Sequence, residues 1–212
     1  LLTRHLNRMG EQTMEPTARA VAALFRDHAT TDVCNALTTT LLAMCVSETQ
    51  ILKALVPLGA SLVAALHVLQ GREVGAVFVE SVCLELKKCL DGTTNTTWSS
   101  ATAFDGGKSG ADEGGAGDGK GDAAGTSRRA PNLVLLLAGL YNLGVVQCGL
   151  VYDLVTILAE RLTPLDVELL LLLLSEVGPQ LRADDSTALK DIVDMVRKNK
   201  AVTEQQDDAA VG

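Results

Sequence analysis

Few side chains in this 212-residue sequence are of kinds that perform covalent, metal or redox chemistry, and their spacing argues against all three. The five cysteines (Cys34, Cys45, Cys83, Cys89 and Cys148) sit inside apolar runs and form no CxxC pair. An odd number of such thiols with no secretion signal predicts buried, free cysteines in a reducing compartment. No ligand spacing recurs between them and His5, His28 or His67, so no metal site is expected. Gly107-Lys108-Ser109 matches the end of a phosphate-binding loop, but Thr102 stands where the first glycine belongs and no strand precedes it. Asp184-Asp185 and the Asp191/Asp194 pair read as helix-start and exposed-face charges rather than as an acid–base pair. Asn95-Thr96-Thr97 is a formal glycosylation sequon, expected to stay unmodified without a signal peptide. No nucleophile–base constellation stands out, and the expectation is a protein without catalysis or cofactors.

One cluster offers recognition rather than reaction. Residues 3–16 place Arg4, Asn7, Arg8 and Glu11 on a short amphipathic stretch whose Leu2, Leu6 and Met9 are free to face a core. The residues alone fit a solvated terminal helix, and a docking surface is the sharper alternative. The Asp184-Asp185 turn is a second, weaker candidate near the other end.

The elements that must position these residues are helical. The chain is 47% apolar but only 3% aromatic, with Leu, Val and Ala dominating, which suits helix-on-helix packing. Ala18, Val21, Ala22 and Phe25 form a helical stripe with Pro16 in its first turn, and Thr30 or Thr31 is expected to cap a helix carrying Val33, Leu37, Leu41 and Met44. Pro57 and Gly59 predict a break, after which Leu58, Leu62, Leu66 and Leu69 resume the pattern. Phe78, Val82, Leu86 and Leu90 predict a helix over about 73–90. Thr163-Pro-Leu-Asp166 is a capping box, Gly178-Pro179 predicts that helix's end, and Asp184 or Asp185 is expected to cap a last helix burying Leu189, Ile192, Val193 and Val196. Roughly eight to ten helices of about 12–17 residues joined by short turns predict an all-α, HEAT-like solenoid of antiparallel helical hairpins.

Residues 91–130 break the pattern. Gly, Ser, Thr, Ala and Asp dominate there, and ordering them would cost on the order of 1–2 kcal/mol each with little to bury. They predict a disordered insertion between helical blocks at 1–90 and 131–200, with 201–212 a flexible tail. Ala130–Tyr152 carries no charge and matches a membrane span in length, but Asn132, Asn142 and Gln147 interrupt it and Asn142-Leu143-Gly144 reads as a helix stop. A core helix is expected instead, and no membrane. The net charge of −8, from 18 basic against 26 acidic residues, argues against a large nucleic-acid face in this segment and leaves a local basic patch open. The sequence opens at Leu1 and reads as a piece of a longer protein.

Taken in order, residues 1–46, "EVGAVFVESV", "NLVLLLAGLYNLGVVQCGLVYDLVTIL" and "LTPLDVELLLLLLSEVGPQLRADDSTALKDIVDMV" resemble the middle domain of translation initiation factor 4G and its relatives. The "LYNLGVVQ…VYDL" and "GPQLRADDSTALKDIV" stretches favour the nucleolar, ribosome-biogenesis branch. The resemblance implies a HEAT-like domain, without catalytic residues, that binds a DEAD-box RNA helicase and clamps its two lobes into a productive arrangement. It implies a nucleolar setting, pre-ribosomal particles as partners and a role in small-subunit ribosomal RNA processing. Relatives contact the helicase through an Asn followed by a basic residue in the first helix, supplied here by Asn7-Arg8. The same fold in translation initiation or splicing, and direct RNA binding, remain the alternatives. The insertion at 91–130 departs from the family's shorter connection.

Overall fold

A computed structural model describes residues 2–92, 127–185, 187, 190–194 and 196–198. Eight α-helices follow one another: α1 (Leu2–Leu6), α2 (Met14–Asp27), α3 (Thr30–Cys45), α4 (Leu55–Gln70), α5 (Arg72–Leu90), α6 (Arg129–Asn142), α7 (Cys148–Arg161) and α8 (Pro164–Asp184). Residues 190–194 and 196–198 are also helical. The all-α, HEAT-like architecture matches the expectation. The described residues contain no strand, and none of their helices is long and apolar enough to cross a membrane.

Short turns fold the helices back on one another. Gly71 alone, at φ 109°, separates α4 from α5 in a conformation that L side chains rarely adopt. The pairs α2/α4, α4/α6 and α6/α8 pack side by side in one layer, α3 packs on α5 beneath it, and α7 packs on α8. Most of the predicted stripes form the core: Ala18, Val21, Val33, Leu37, Leu41, Leu62, Leu66, Phe78, Val82, Leu86 and Leu90 are buried, while Ala22, Phe25, Met44 and Leu58 are half-buried.

Helix α6 occupies the centre. Every residue from Ala130 to Tyr141 except Gly139 is buried, so its uncharged run is explained by neighbours on all sides rather than by lipid. Such a helix must satisfy its polar groups internally. Asn132, fully buried, accepts from Leu52 N–H at 2.8 Å and donates through Nδ2 to the carbonyls of Ser47, Gln50 and Arg128 at 3.2, 2.9 and 2.9 Å. It thereby pins the α3–α4 connection to the core. The helix ends as expected at Asn142-Leu143-Gly144: Val145 N–H bonds Leu140 O and Gly144 N–H bonds Tyr141 O, both at 2.9 Å, with Gly144 at φ 73°. This is a Schellman closure.

The start of α6 is held by charge. Arg129 reaches Glu48 and Glu85 at 3.1 Å each, Arg128 reaches Glu168 at 2.6 Å, and Ser127 Oγ donates to Glu48 at 2.6 Å. Residues 127–130 are therefore ordered and Arg129 opens a helix, which moves the boundary expected at 130 back by a few positions. The rest of the predicted insertion from 93, and the tail at 201–212, lie outside the described residues.

Several expected boundaries are corrected. Helix α4 starts at Leu55, so Pro57 falls in its first turn, where a missing N–H costs no helical bond. Gly59 lies inside α4 because a Cβ there would sit 2.6 Å from Cys45 Sγ on α3. Leu69 is 54% exposed and outside the stripe. The α2–α3 turn is so tight that Ala29 takes the cap position of α3, with no side-chain cap, and Thr30 becomes its first residue. The Thr163 capping box forms as expected, with Asp166 N–H donating to Thr163 Oγ1 at 3.2 Å and Thr163 N–H to Asp166 Oδ2 at 3.0 Å. Gly178-Pro179 does not end α8, because Val177 and Leu181 are both fully buried across that point and packing outweighs one lost backbone bond. In the last helical residues Ile192 is buried, but Val193 is 44% exposed and shares no face with it, while Leu189 lies outside the described residues.

Asn132→Asp replaces two N–H donors with a carboxylate facing three carbonyls. It should cost about 3 kcal/mol or more, read by chemical denaturation. Gly59→Ala should cost about 1–3 kcal/mol, and adding Cys45→Ala should recover part of that loss because the new methyl takes the space the sulfur leaves.

Candidate functional site

Helix α1 packs on α2 and α3 at one end of the stack. Leu6 is fully buried, and Leu2 and Met9 pack against the core, as their spacing predicted. Three backbone bonds curl the chain after it: Asn7 N–H to Thr3 O, Arg8 N–H to His5 O and Met9 N–H to Leu6 O, at 2.9, 3.3 and 2.9 Å. Thr13 Oγ1 then donates to Arg8 O at 2.8 Å and accepts from Gly10 N–H at 2.9 Å, holding the turn against the short 3-10 segment Glu11–Thr13. The result is a braced backbone with polar side chains on its outer side. Arg4, Asn7, Arg8 and Glu11 are all exposed. Among the described residues none of these four side chains makes an ion pair or hydrogen bond, whereas nearby Arg19 and Glu15 pair at 2.6 Å. A cleft of about 240 Å³ lined by Leu2, Leu24, His28, Asp32, Val33 and Ala36 lies alongside.

Asp184 and Asp185 lie elsewhere. They close α8, which packs on α6 and α7 rather than on α1. Tyr141 Oη donates to Asp184 at 2.5 Å and Gln180 Nε2 donates to it at 3.0 Å. Tyr152 Oη donates to Asp185 at 3.3 Å, and the other Asp185 oxygen accepts from Thr187 N–H at 2.9 Å and Thr187 Oγ1 at 2.8 Å. Asp185 thus shapes the turn into the last helical residues, while Asp184 folds back on α6. The structure groups Arg4, Asn7, Arg8 and Glu11 and keeps this acidic turn away from them.

Burial pushes the Cys45 thiol up to about 12 and raises those of Cys34, Cys83 and Cys89 as well, so they are poor nucleophiles at neutral pH. Among the described residues no group of His, Cys, Asp and Glu could hold a metal ion. The side chains whose part in the fold the sequence did not show are Asn132, Arg128 and Arg129, which tie distant segments to the start of α6. Their signal is a pair of arginines and one amide at the edge of a long uncharged run.

A stack of α-helical hairpins with polar residues displayed at one end is the architecture of a HEAT-like domain. The MIF4G domain model matches residues 1–209. The chain belongs to the MIF4G domain family. It is 31% identical over 188 residues to mouse nucleolar MIF4G domain-containing protein 1 and 29% identical to the human protein, covering 89% of this chain and 18% of each relative. Suppressor of glycerol defect protein 1 of Schizosaccharomyces pombe is 46% identical over 66 residues, covering 31% of this chain and 8% of that protein. The chain thus spans less than a fifth of the mammalian relatives it matches. No solved structure matches it.

Burial, and next the Asp184 carboxylate, hold the Tyr141 phenol above its ordinary range. The phenol ionises more readily in the unfolded chain, so its share of stability is complete below about pH 10 and declines as pH rises beyond that. Tyr141→Phe should therefore cost about 1–2 kcal/mol at neutral pH. The gap to wild type should narrow above about pH 10 in urea titrations at stepped pH.

Proposed function

We propose that this domain is a docking scaffold, not an enzyme, that binds a DEAD-box RNA helicase and stimulates it within pre-ribosomal particles of the nucleolus, in small-subunit ribosomal RNA processing. The observation that carries this reading is the unpaired, exposed set Arg4, Asn7, Arg8 and Glu11 on a braced turn at one end of the stack. Family membership and the word "nucleolar" in the names of the mammalian relatives support the setting. Arg8 offers a forked, charge-assisted donor to a carboxylate on a helicase lobe, and Asn7 beside it adds an amide. Asp184-Asp185 is the second contact point in this reading, reserved for the other lobe. A stack touching both lobes favours one lobe spacing and shifts the helicase population towards it.

The test is an ATPase titration of nucleolar DEAD-box helicases with this domain beside an Asn7→Asp/Arg8→Glu variant. Wild type should stimulate one of them, and the variant should need at least about tenfold more protein for the same effect while keeping its helical circular dichroism. Equal stimulation by both proteins would remove the N-terminal site, and stimulation of none would remove the helicase role.

A further inference from the structure

Helix α4 contains no Asp, Glu, Lys or Arg from Leu55 to Gln70, yet one of its faces is open to solvent. Pro57, Ser61, Ala64 and Val68 recur on that face at helical spacing, and Val68 is 81% exposed. Solvent faces of helices ordinarily carry charged or polar residues. Beside it, Leu135 of α6 and Leu143 just past its end line the same trough, and Leu143 is 48% exposed.

The two helices run parallel and touch through small residues. A Cβ on Gly139 would lie 3.0 Å from the Ala60 methyl, so the helices meet closely with little side chain between them. What remains above that contact is a trough of about 300 Å³ walled by Pro57 and Ser61 on one side and Leu135 and Leu143 on the other. Lys53 lines it at the end where α4 begins, and Glu176 lines it beside Asn142, where α6 ends. Among the described residues neither of these charges has an ion-pair partner, although Glu48, Glu85 and Glu168 are all paired. An uncharged trough with one free cation and one free anion is complementary to an apolar helix face bearing opposite charges at its ends.

We infer that the α4–α6 trough docks an amphipathic helix of a protein partner, apolar on the buried face, with an acidic residue meeting Lys53 and a basic residue meeting Glu176. A trough between two packed helices accepts a third helix as a ridge enters a groove, through anchors spaced i, i+3, i+4 and i+7. This surface lies away from α1 and does not depend on the helicase reading.

Three fluorescent helical peptides sharing one apolar face test it: one acidic at one end and basic at the other, one acidic at both ends, and one basic at both. Binding to the whole domain is read by anisotropy. The mixed peptide should bind wild type best, and Ser61→Arg or Leu143→Lys should weaken it at least about tenfold. Lys53→Glu should shift preference towards the basic peptide and Glu176→Lys towards the acidic one, each by about threefold. These surface exchanges leave the core untouched, so loss of folding does not confuse the result. Saturation by none of the peptides, or equal binding to wild type and Ser61→Arg, overturns the proposal. A concentration-dependent dimer abolished by Ser61→Arg in sedimentation also overturns it, by assigning the trough to a second copy of the chain.

Discussion

A helix buried on every side must resolve all of its polar groups within the protein, and that constraint governs this domain. Helix α6 has packed neighbours in α4, α5, α7 and α8. Each fully buried leucine along it contributes roughly 1.5–3 kcal/mol, but only if the ends and the single internal amide find partners. Asn132 spends its whole amide on the α3–α4 connection and on the first turn of α6 itself. The Schellman closure satisfies the other end without side chains. The α6 helix therefore orders its surroundings: the loop that carries Glu48 and leads into α4 is shaped by an amide eighty-odd residues later.

The charges at the start of α6 follow from the same constraint. Arg128 and Arg129 cannot enter the core, so they spread along its rim to Glu168, Glu48 and Glu85, on three separate segments. Exposed ion pairs contribute little individually. Here they hold the first turn of α6, and the more buried Arg129–Glu85 contact fixes the register of α6 against α5. At the end of α5, Arg161 Nη2 donates to Leu90 O at 2.6 Å, tying its last turn to the end of α7. The helices α4, α5 and α6 pack on one another and join the first half of the stack to the second.

Periodicity made most helices legible, because an aliphatic stripe such as Phe78–Val82–Leu86–Leu90 leaves few other places to go. It failed where a residue's usual role yields to packing. Gly59 and Gly178-Pro179 read as stops, yet both lie within helices, the first because Cys45 needs the space and the second because Val177 and Leu181 hold α8 together across it. Asn132 read as an interruption of an apolar run, since a sequence does not show that four partners converge on one amide. The polar cluster at Arg4, Asn7, Arg8 and Glu11 was visible as an amphipathic stretch, and its facing follows from Leu2, Leu6 and Met9. The Thr13 brace beneath Arg8 was not, because it depends on a turn geometry that only the fold supplies.

The proposed mechanism asks for a stiff scaffold. To shift a partner between two conformations, a scaffold must bind one more tightly than the other, and any give in the scaffold erodes that difference. The contacts that would have to stay in register lie on α1 with the turn after it and at the end of α8, and α2, α4, α6 and α8 pack in sequence between them. Asp184 is bound back to Tyr141 on α6, and the turn at Arg8 is closed locally by Thr13 at the start of α2. A core built from close contacts such as Gly59 on Cys45 and Gly139 on Ala60 leaves the helices little room to slide. Stiffness in the middle is what would let two small surface clusters act together on a partner larger than either.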